Sequence, residues 1–159
     1  MRAMIVGCGR VGAWLADRLA GEGHEVTVLD VSTQAFRRLQ ASFSGNAVRG
    51  DGTDEAVLRR AGLDGADAFF ALTEGDNRNV LMAQLAVESF GVPRAVAKIN
   101  DPVRAEAYSA LGIATVCRTV MLGDALAEYV GLPPAGPHGV VAPTGNHGPH
   151  GPVDAGGDG

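Results

Sequence analysis

No apolar run in this chain approaches the ~18–20 residues that a membrane span needs, and Met1-Arg2-Ala3-Met4-Ile5-Val6 leaves no room for a leader-like apolar region before the first glycine. The expectation is a soluble, cytoplasmic protein. Positive charge is scarce: 13 Lys+Arg stand against 18 Asp+Glu, a formal net charge of −5. That balance argues against nucleic acid as a partner and against a polybasic membrane surface. Cysteine is limited to Cys8 and Cys117, too far apart in sequence to suggest a disulfide framework, which fits free thiols in a reducing compartment. Lysine is reduced to Lys98, and no Gly-x-x-x-x-Gly-Lys-Ser/Thr run is present for an ATPase. Nor is there a catalytic constellation, since His24 lies in a turn and the other three histidines fall in a segment rich in glycine and proline.

What is present points to one globular domain. A chain of 159 residues with 46% hydrophobic residues can bury an ordinary core. Residues 131–159 differ in kind: they hold nine of the 23 glycines and six of the eight prolines, with no Lys or Arg after Arg118. The reading is a folded domain over 1–130 and a disordered Gly/Pro-rich tail over 131–159. The tail histidines lack pre-organisation, so no metal site is expected.

Before the tail, short apolar runs alternate with amphipathic stretches. Strands are predicted at Ala3–Val6, Val26–Leu29, Asn46–Arg49, Ala68–Leu72, Ala95–Ile99 and Ala114–Val116. Between them the spacing predicts helices from Val11 to Leu19, from Ser32 through Phe36, Leu39 and Phe43, from Thr53 to Ala61, from Asn77 to Phe90 and from Val103 to Leu111. Val80, Leu81, Ala83, Leu85 and Val87 are placed on or near the buried face of the fourth of these, and a last helix runs from Val120 to Val130. Strands apolar on both faces, alternating with helices, indicate an α/β fold, a Rossmann-like doubly wound parallel sheet covered on both sides. Ligands of such sheets bind at the carboxyl ends of the strands, where strand order reverses.

Gly7-Cys8-Gly9-Arg10-Val11-Gly12 fits Gly-x-Gly-x-x-Gly directly after the first strand and at the start of a helix. Gly7 suits a tight turn, Gly9 a close approach to a pyrophosphate and Gly12 close packing of helix on strand, while the helix N-terminus offers N–H groups to phosphate. Asp30, at the end of the second strand, suits the ribose hydroxyls of an adenosine and would repel a 2′-phosphate. NAD(H) or ATP/ADP are therefore favoured and NADP(H) disfavoured. Asp51 and Gly52 follow the third strand, where adenine would lie, although Asp51 and Thr53 also suit a helix cap. Thr73, Asp76, Arg78 and Asn79 follow the fourth strand and are candidates for the ribose or phosphate side, with Asp76 equally suited to capping. Lys98 ends the fifth strand as a candidate phosphate partner or a solvent-reaching edge lysine. Cys8 reads as a small packing residue within the glycine loop.

In this order the motifs resemble a known family. Met4-Ile5-Val6-Gly7-Cys8-Gly9-Arg10-Val11-Gly12, Val26-Thr27-Val28-Leu29-Asp30, Gly50-Asp51-Gly52-Thr53-Asp54, Ala71-Leu72-Thr73 with Asp76-Asn77-Arg78-Asn79, and Ala97-Lys98-Ile99-Asn100-Asp101-Pro102 are similar to the RCK/KTN N-terminal (TrkA-N) domain of potassium-transport regulators. The resemblance covers roughly residues 1–130. It implies a non-enzymatic, NAD(H)- or adenine-nucleotide-binding regulatory subunit in which Gly7, Gly9, Arg10, Val11 and Gly12 hold phosphate and Asp30 holds ribose. Asp51 and Gly52 would meet adenine, with Thr73, Asn79 and Lys98 completing the pocket. It further implies a homodimer or a higher ring assembly at the inner face of the membrane, partnered with a potassium transporter or channel and with a second regulatory subunit as a further candidate partner. The last helix would pack on another subunit through Val120, Leu122, Leu126 and Val130. Members of the family usually continue into a second ligand-sensing domain, whereas Gly131 here leads into the Gly/Pro segment, so regulation through such a domain is not expected in this chain. The rival readings are an NAD-dependent oxidoreductase lacking its substrate domain and a nucleotide-binding relic.

Overall fold

Four of the five residues of β1 (Arg2–Val6) are buried, the pattern of a central strand covered on both faces. Met4 and Val6 face one layer and Ala3 and Ile5 the other. A computed structural model describes residues 1–134 and 140–141 and gives the order β1, α1 (Arg10–Gly21), β2 (Glu25–Asp30), a 3-10 helix (Thr33–Arg38), β3 (Asn46–Arg49), α2 (Glu55–Arg60) and β4 (Ala68–Ala71). There follow α3 (Asp76–Glu88), β5 (Ala95–Ile99), α4 (Pro102–Ala110), β6 (Thr115–Cys117), α5 (Arg118–Tyr129) and β7 (Val140–Val141).

The sheet order is β3-β2-β1-β4-β5-β6-β7, parallel except for the last pair. The chain builds outward from β1 to β3, then returns to β4 on the other flank of β1. Strand order therefore reverses between β1 and β4, and the loops after these two strands define the ligand edge. The doubly wound architecture read from the sequence is the one observed. Met4, Val6, Leu29, Leu58, Phe69, Met82 and Ala86 form the core on one face, and Ile5, Ala13, Ala16, Leu19, Val26 and Val28 that on the other. A smaller cluster joins Val80, Ala83, Ala97, Ile99, Ala105 and Cys117.

Several local expectations are corrected. The helix expected from Ser32 through Phe43 is a 3-10 turn ending at Arg38: Ala35 N–H closes an i to i+3 bond onto the Ser32 carbonyl, and beyond its end the Gln40 N–H is taken by the Asp17 carboxylate. Asp54, not Thr53, caps α2, accepting from the N–H groups of Ala56 and Val57. Gly75 stands at the N-cap of α3, and that helix buries Asn79, Val80, Met82, Ala83 and Ala86 while Leu81 and Val87 are exposed. The buried stripe is thus rotated from the one expected, around a polar residue that an apolar pattern does not mark. Asp101 caps α4 through the Val103 N–H, with Pro102 at the first helical position.

The tail expectation lies largely outside the described residues. Val140–Val141 pairs antiparallel with β6, a strand where none was expected. Two β-branched residues meet the strand preference there, and they cover an edge that β6 would otherwise leave open. Among the described residues no helix is long and apolar enough to cross a membrane.

Candidate functional site

The loops after β1, β2, β3 and β4 enclose a cavity of about 290 Å³ at the carboxyl edge of the sheet. Its floor is Gly7, Cys8 and Gly9. Gly7 takes φ +104, and a Cβ there would lie 2.9 Å from the Leu72 carbonyl group and the Thr73 nitrogen. Glycine is required at Gly7 both by conformation and by the close passage of the β4 loop. At Gly12 a Cβ would collide with the Gly7 carbonyl oxygen, so helix α1 can rest on its own entry turn only without a side chain. Gly9 is different. Its φ of −75 suits any residue and a Cβ would meet nothing within 4 Å. No demand of the fold accounts for its missing side chain, which leaves the backbone open beside the free N–H groups of the first turn of α1.

Asp30 closes the next wall. Its Oδ2 accepts from the Cys8 N–H at 2.8 Å and its Oδ1 from the Ser32 N–H at 2.8 Å, so the carboxylate ties the glycine loop to the end of β2. Each oxygen keeps lone-pair capacity toward the cavity. Cys8 lies fully buried beneath it, and burial together with the Asp30 charge pushes the thiol up to about 11. At neutral pH Cys8 is a protonated packing residue.

Asp51 accepts from the Thr53 N–H at 3.0 Å and from the Thr53 hydroxyl at 2.8 Å. These bonds, with help from the Arg78 guanidinium, hold its carboxyl below the usual range. Gly52 is buried, and a Cβ there would press on Val6 and on the Met82 sulfur at 2.6–2.7 Å. On the β4 side Thr73 faces the cavity and Asn79 stands behind it. The Asn79 side chain accepts from the Thr73 N–H (2.9 Å) and hydroxyl (2.6 Å) and donates to the carbonyls of Thr73 (2.9 Å) and Lys98 (2.8 Å). Every hydrogen-bonding direction of this fully buried amide is directed to protein, so Asn79 holds the cavity wall and does not line it. Asp76 likewise serves the frame, accepting from the Asn100 N–H and side-chain amide and from the Asp101 N–H.

Of the sequence-derived set, Gly7, Gly9, Asp30, Asp51, Gly52 and Thr73 line the cavity. Arg10, Val11 and Gly12 form the first turn of α1 beside it. Lys98 is not in its wall: the side chain is buried and its Nζ pairs with Glu74 Oε1 at 3.6 Å. Arg38, Glu74 and Arg78 do line the cavity. Arg38 arrives from the 3-10 helix and Glu74 from the β4 loop, and neither carries a local motif that would have marked it.

A larger groove of about 560 Å³ lies at the opposite edge of the sheet, among Arg2, His24, Glu25, Asn46 and Gly62. The helices end there rather than begin, and their carbonyl ends disfavour phosphate. The carboxyl-edge cavity is the candidate site.

The sequence model described as the TrkA-N domain matches residues 3–119. The chain belongs to the TrkA-N domain family. It is 48% identical over 124 residues to the Trk system potassium uptake protein TrkA of Streptomyces coelicolor, covering 78% of this chain and 56% of that protein. The chain spans about half the length of some of the curated relatives it matches and less than a quarter of others. Among solved structures, the AMP-bound Kef CTD of Shewanella denitrificans superposes with a TM-score of 0.67 at 23% identity, covering 82% of each chain. The GsuK channel bound to NAD gives 0.65 at 21% identity, over 82% of this chain and 23% of that one. At these identities the structural likeness speaks for the fold of the TrkA-N domain.

Proposed function

We propose that this TrkA-N domain is a non-enzymatic nucleotide sensor that regulates potassium transport through a membrane transporter or channel. The observation that carries the reading is Gly9, a glycine that neither its conformation nor its neighbours require, set between the N-terminus of α1 and the Asp30 carboxylate. A phosphate fits the bare backbone and the helix end, and ribose hydroxyls fit the outer lone pairs of Asp30. The adenine then lies toward Asp51 and Gly52. Relatives named as potassium uptake proteins, and neighbours described as bound to AMP or NAD, support a ligand of this class.

The favoured ligands are NAD(H) and ATP/ADP. A volume of about 290 Å³ sits at the small end of the range for ligand sites, about 300–1,000 Å³. It suits the adenosine-phosphate part that these ligands share, so a nicotinamide half would extend beyond the described walls. Asp30 disfavours a 2′-phosphate, and with it NADP(H). Among the described residues no histidine, lysine or tyrosine lines the cavity, and the Cys8 thiol is protonated, which supports binding without turnover.

Helix α5 supplies the coupling surface. Leu122, Leu126, Tyr129 and Val130 are 61%, 62%, 90% and 70% exposed, an apolar face suited to a second copy of this chain in a homodimer or ring. Ligand binding would then shift the balance between two arrangements of the assembly, and the transporter would respond to their difference in affinity. Small-angle scattering with and without ADP or NADH, read beside nicotinamide absorbance, tests this. The expected result is a ligand-dependent change of envelope with no oxidation of NADH; steady oxidation with a carbonyl substrate would contradict it.

A further inference from the structure

The ion pairs of this domain fall into two kinds. Arg18 with Glu22, Arg59 with Asp64 and Arg104 with Asp101 join partners that are about half exposed on both sides. Lys98 with Glu74 joins a lysine only 6% exposed to a glutamate side chain 87% exposed. The two ends of this pair are also held differently. The Lys98 backbone is fixed within β5, and its carbonyl accepts from the buried Asn79 amide. Glu74 sits in the loop between β4 and α3, and its side chain lies almost wholly in solvent. Glu74 lines the cavity; Lys98 does not. Asp76, the next carboxylate along the loop, is committed to the Asn100 and Asp101 amides and is not free to replace it.

We infer that Glu74 is an internal stand-in for a ligand phosphate: it masks the Lys98 ammonium while the cavity is empty and is displaced when an anionic nucleotide enters. A buried ammonium needs a counter-charge, because its desolvation is otherwise uncompensated. An exposed carboxylate at 3.6 Å supplies one loosely, since a pair open to water on one side contributes little and holds weakly. A phosphate offers the same charge type in a site already furnished with helix N–H groups, so exchange keeps Lys98 paired and releases Glu74 to water. The device favours phosphorylated ligands over the bare nucleoside and lowers the apparent affinity for them by the strength of the internal pair. It also makes the β4 loop, which carries Thr73 and leads into α3, report whether phosphate is present.

This inference rests on the nucleotide reading above, and the experiment separates the two. Isothermal titration of ADP and of adenosine is carried out on the wild-type protein and on Glu74→Gln, Lys98→Met and the double variant. Glu74→Gln should tighten ADP about fivefold, the worth of a weak ion pair, and leave adenosine unchanged. In the Lys98→Met background the same change should have no effect, and Lys98→Arg, which keeps the charge, should restore it. An equal gain in both backgrounds would mean that Glu74 merely repels phosphate, and would overturn the inference. ADP binding by the wild type with no response to Glu74→Gln would overturn it while leaving the nucleotide reading intact. Where the wild type does not bind ADP the same titrations are made with ATP, NAD and NADH, and failure of all four would remove both.

Discussion

Helix α1 buries Gly12, Ala13, Ala16 and Leu19 against the sheet, whereas α5, of the same twelve-residue length, buries Asp124 and leaves Met121, Leu122, Leu126 and Tyr129 exposed. Both helices carry apolar residues at helical spacing. The first has its covering surface within the chain for all of them but Val11 and Trp14, which are exposed, and the second meets the smaller cluster chiefly through Val120. Apolar periodicity therefore states that a face is to be covered, without stating by what. The small residues of α1 let it lie close over the glycine loop, which fixes the candidate site. The large residues of α5 stay exposed on this chain and form the face proposed above for association.

The largest expected effect lies beneath the cavity. Asn79→Ala leaves backbone groups of Thr73 and Lys98 without partners, and should cost about 3 kcal/mol in denaturant unfolding and abolish nucleotide binding. A pair of glycine substitutions tests the two helices directly. Gly12→Ala forces a collision with the Gly7 carbonyl and should cost about 2 kcal/mol. Gly123→Ala, inside α5 with nothing within 4 Å of the added Cβ, should instead stabilise the monomer by ~0.5–1 kcal/mol through helix propensity. Equal losses at both positions would break the comparison.

Leu122→Glu combined with Leu126→Glu should change monomer stability by less than about 0.5 kcal/mol and reduce the mass seen by light scattering at micromolar concentration. A cooperative loss of the folded monomer would show that α5 is part of the core. The smallest effect is confined to alkaline pH. The Cys8 thiol titrates near 11 in the folded chain against 9.0 for the free group, so its contribution is intact below pH 9.0 and is lost as pH rises toward 11. Unfolding midpoints across that window should fall less in Cys8→Ala, and native Cys8 should resist alkylation at pH 8.

The parts of the site that were legible in the sequence are those built by one loop at a time. Gly7, Gly9 and Gly12 follow a strand and open a helix, Asp30 ends β2 and Asp51 follows β3, so local pattern alone puts them on the ligand edge. Arg78 was legible as a candidate after the fourth strand, whereas Arg38 and Glu74 were not, because their place depends on how separate loops converge. Lys98 was legible as a strand-end cation, but not its burial behind Glu74, which no spacing records. On α3 the burial of Asn79, whose amide makes four hydrogen bonds inside the protein, turns Leu81 to the opposite face, whereas Val87 is exposed in the last turn of the helix. Past Arg38 the Asp17 carboxylate takes the Gln40 N–H that a longer helix would have used, a contact from α1 that no local spacing records, and the segment is a 3-10 turn.

The central claim is that the glycine loop and Asp30 hold an adenine nucleotide. Thermal unfolding with NADH, NAD, ATP, ADP and NADPH, on the wild type and on Asp30→Ala, tests it most directly. A ligand at ~100 times its Kd adds about 2.7 kcal/mol, a readily visible shift in Tm. The account predicts that NADH, NAD, ATP or ADP stabilises the wild type, that NADPH does not, and that Asp30→Ala loses the shift. An unchanged Tm with every ligand, or an equal shift in Asp30→Ala, would contradict it.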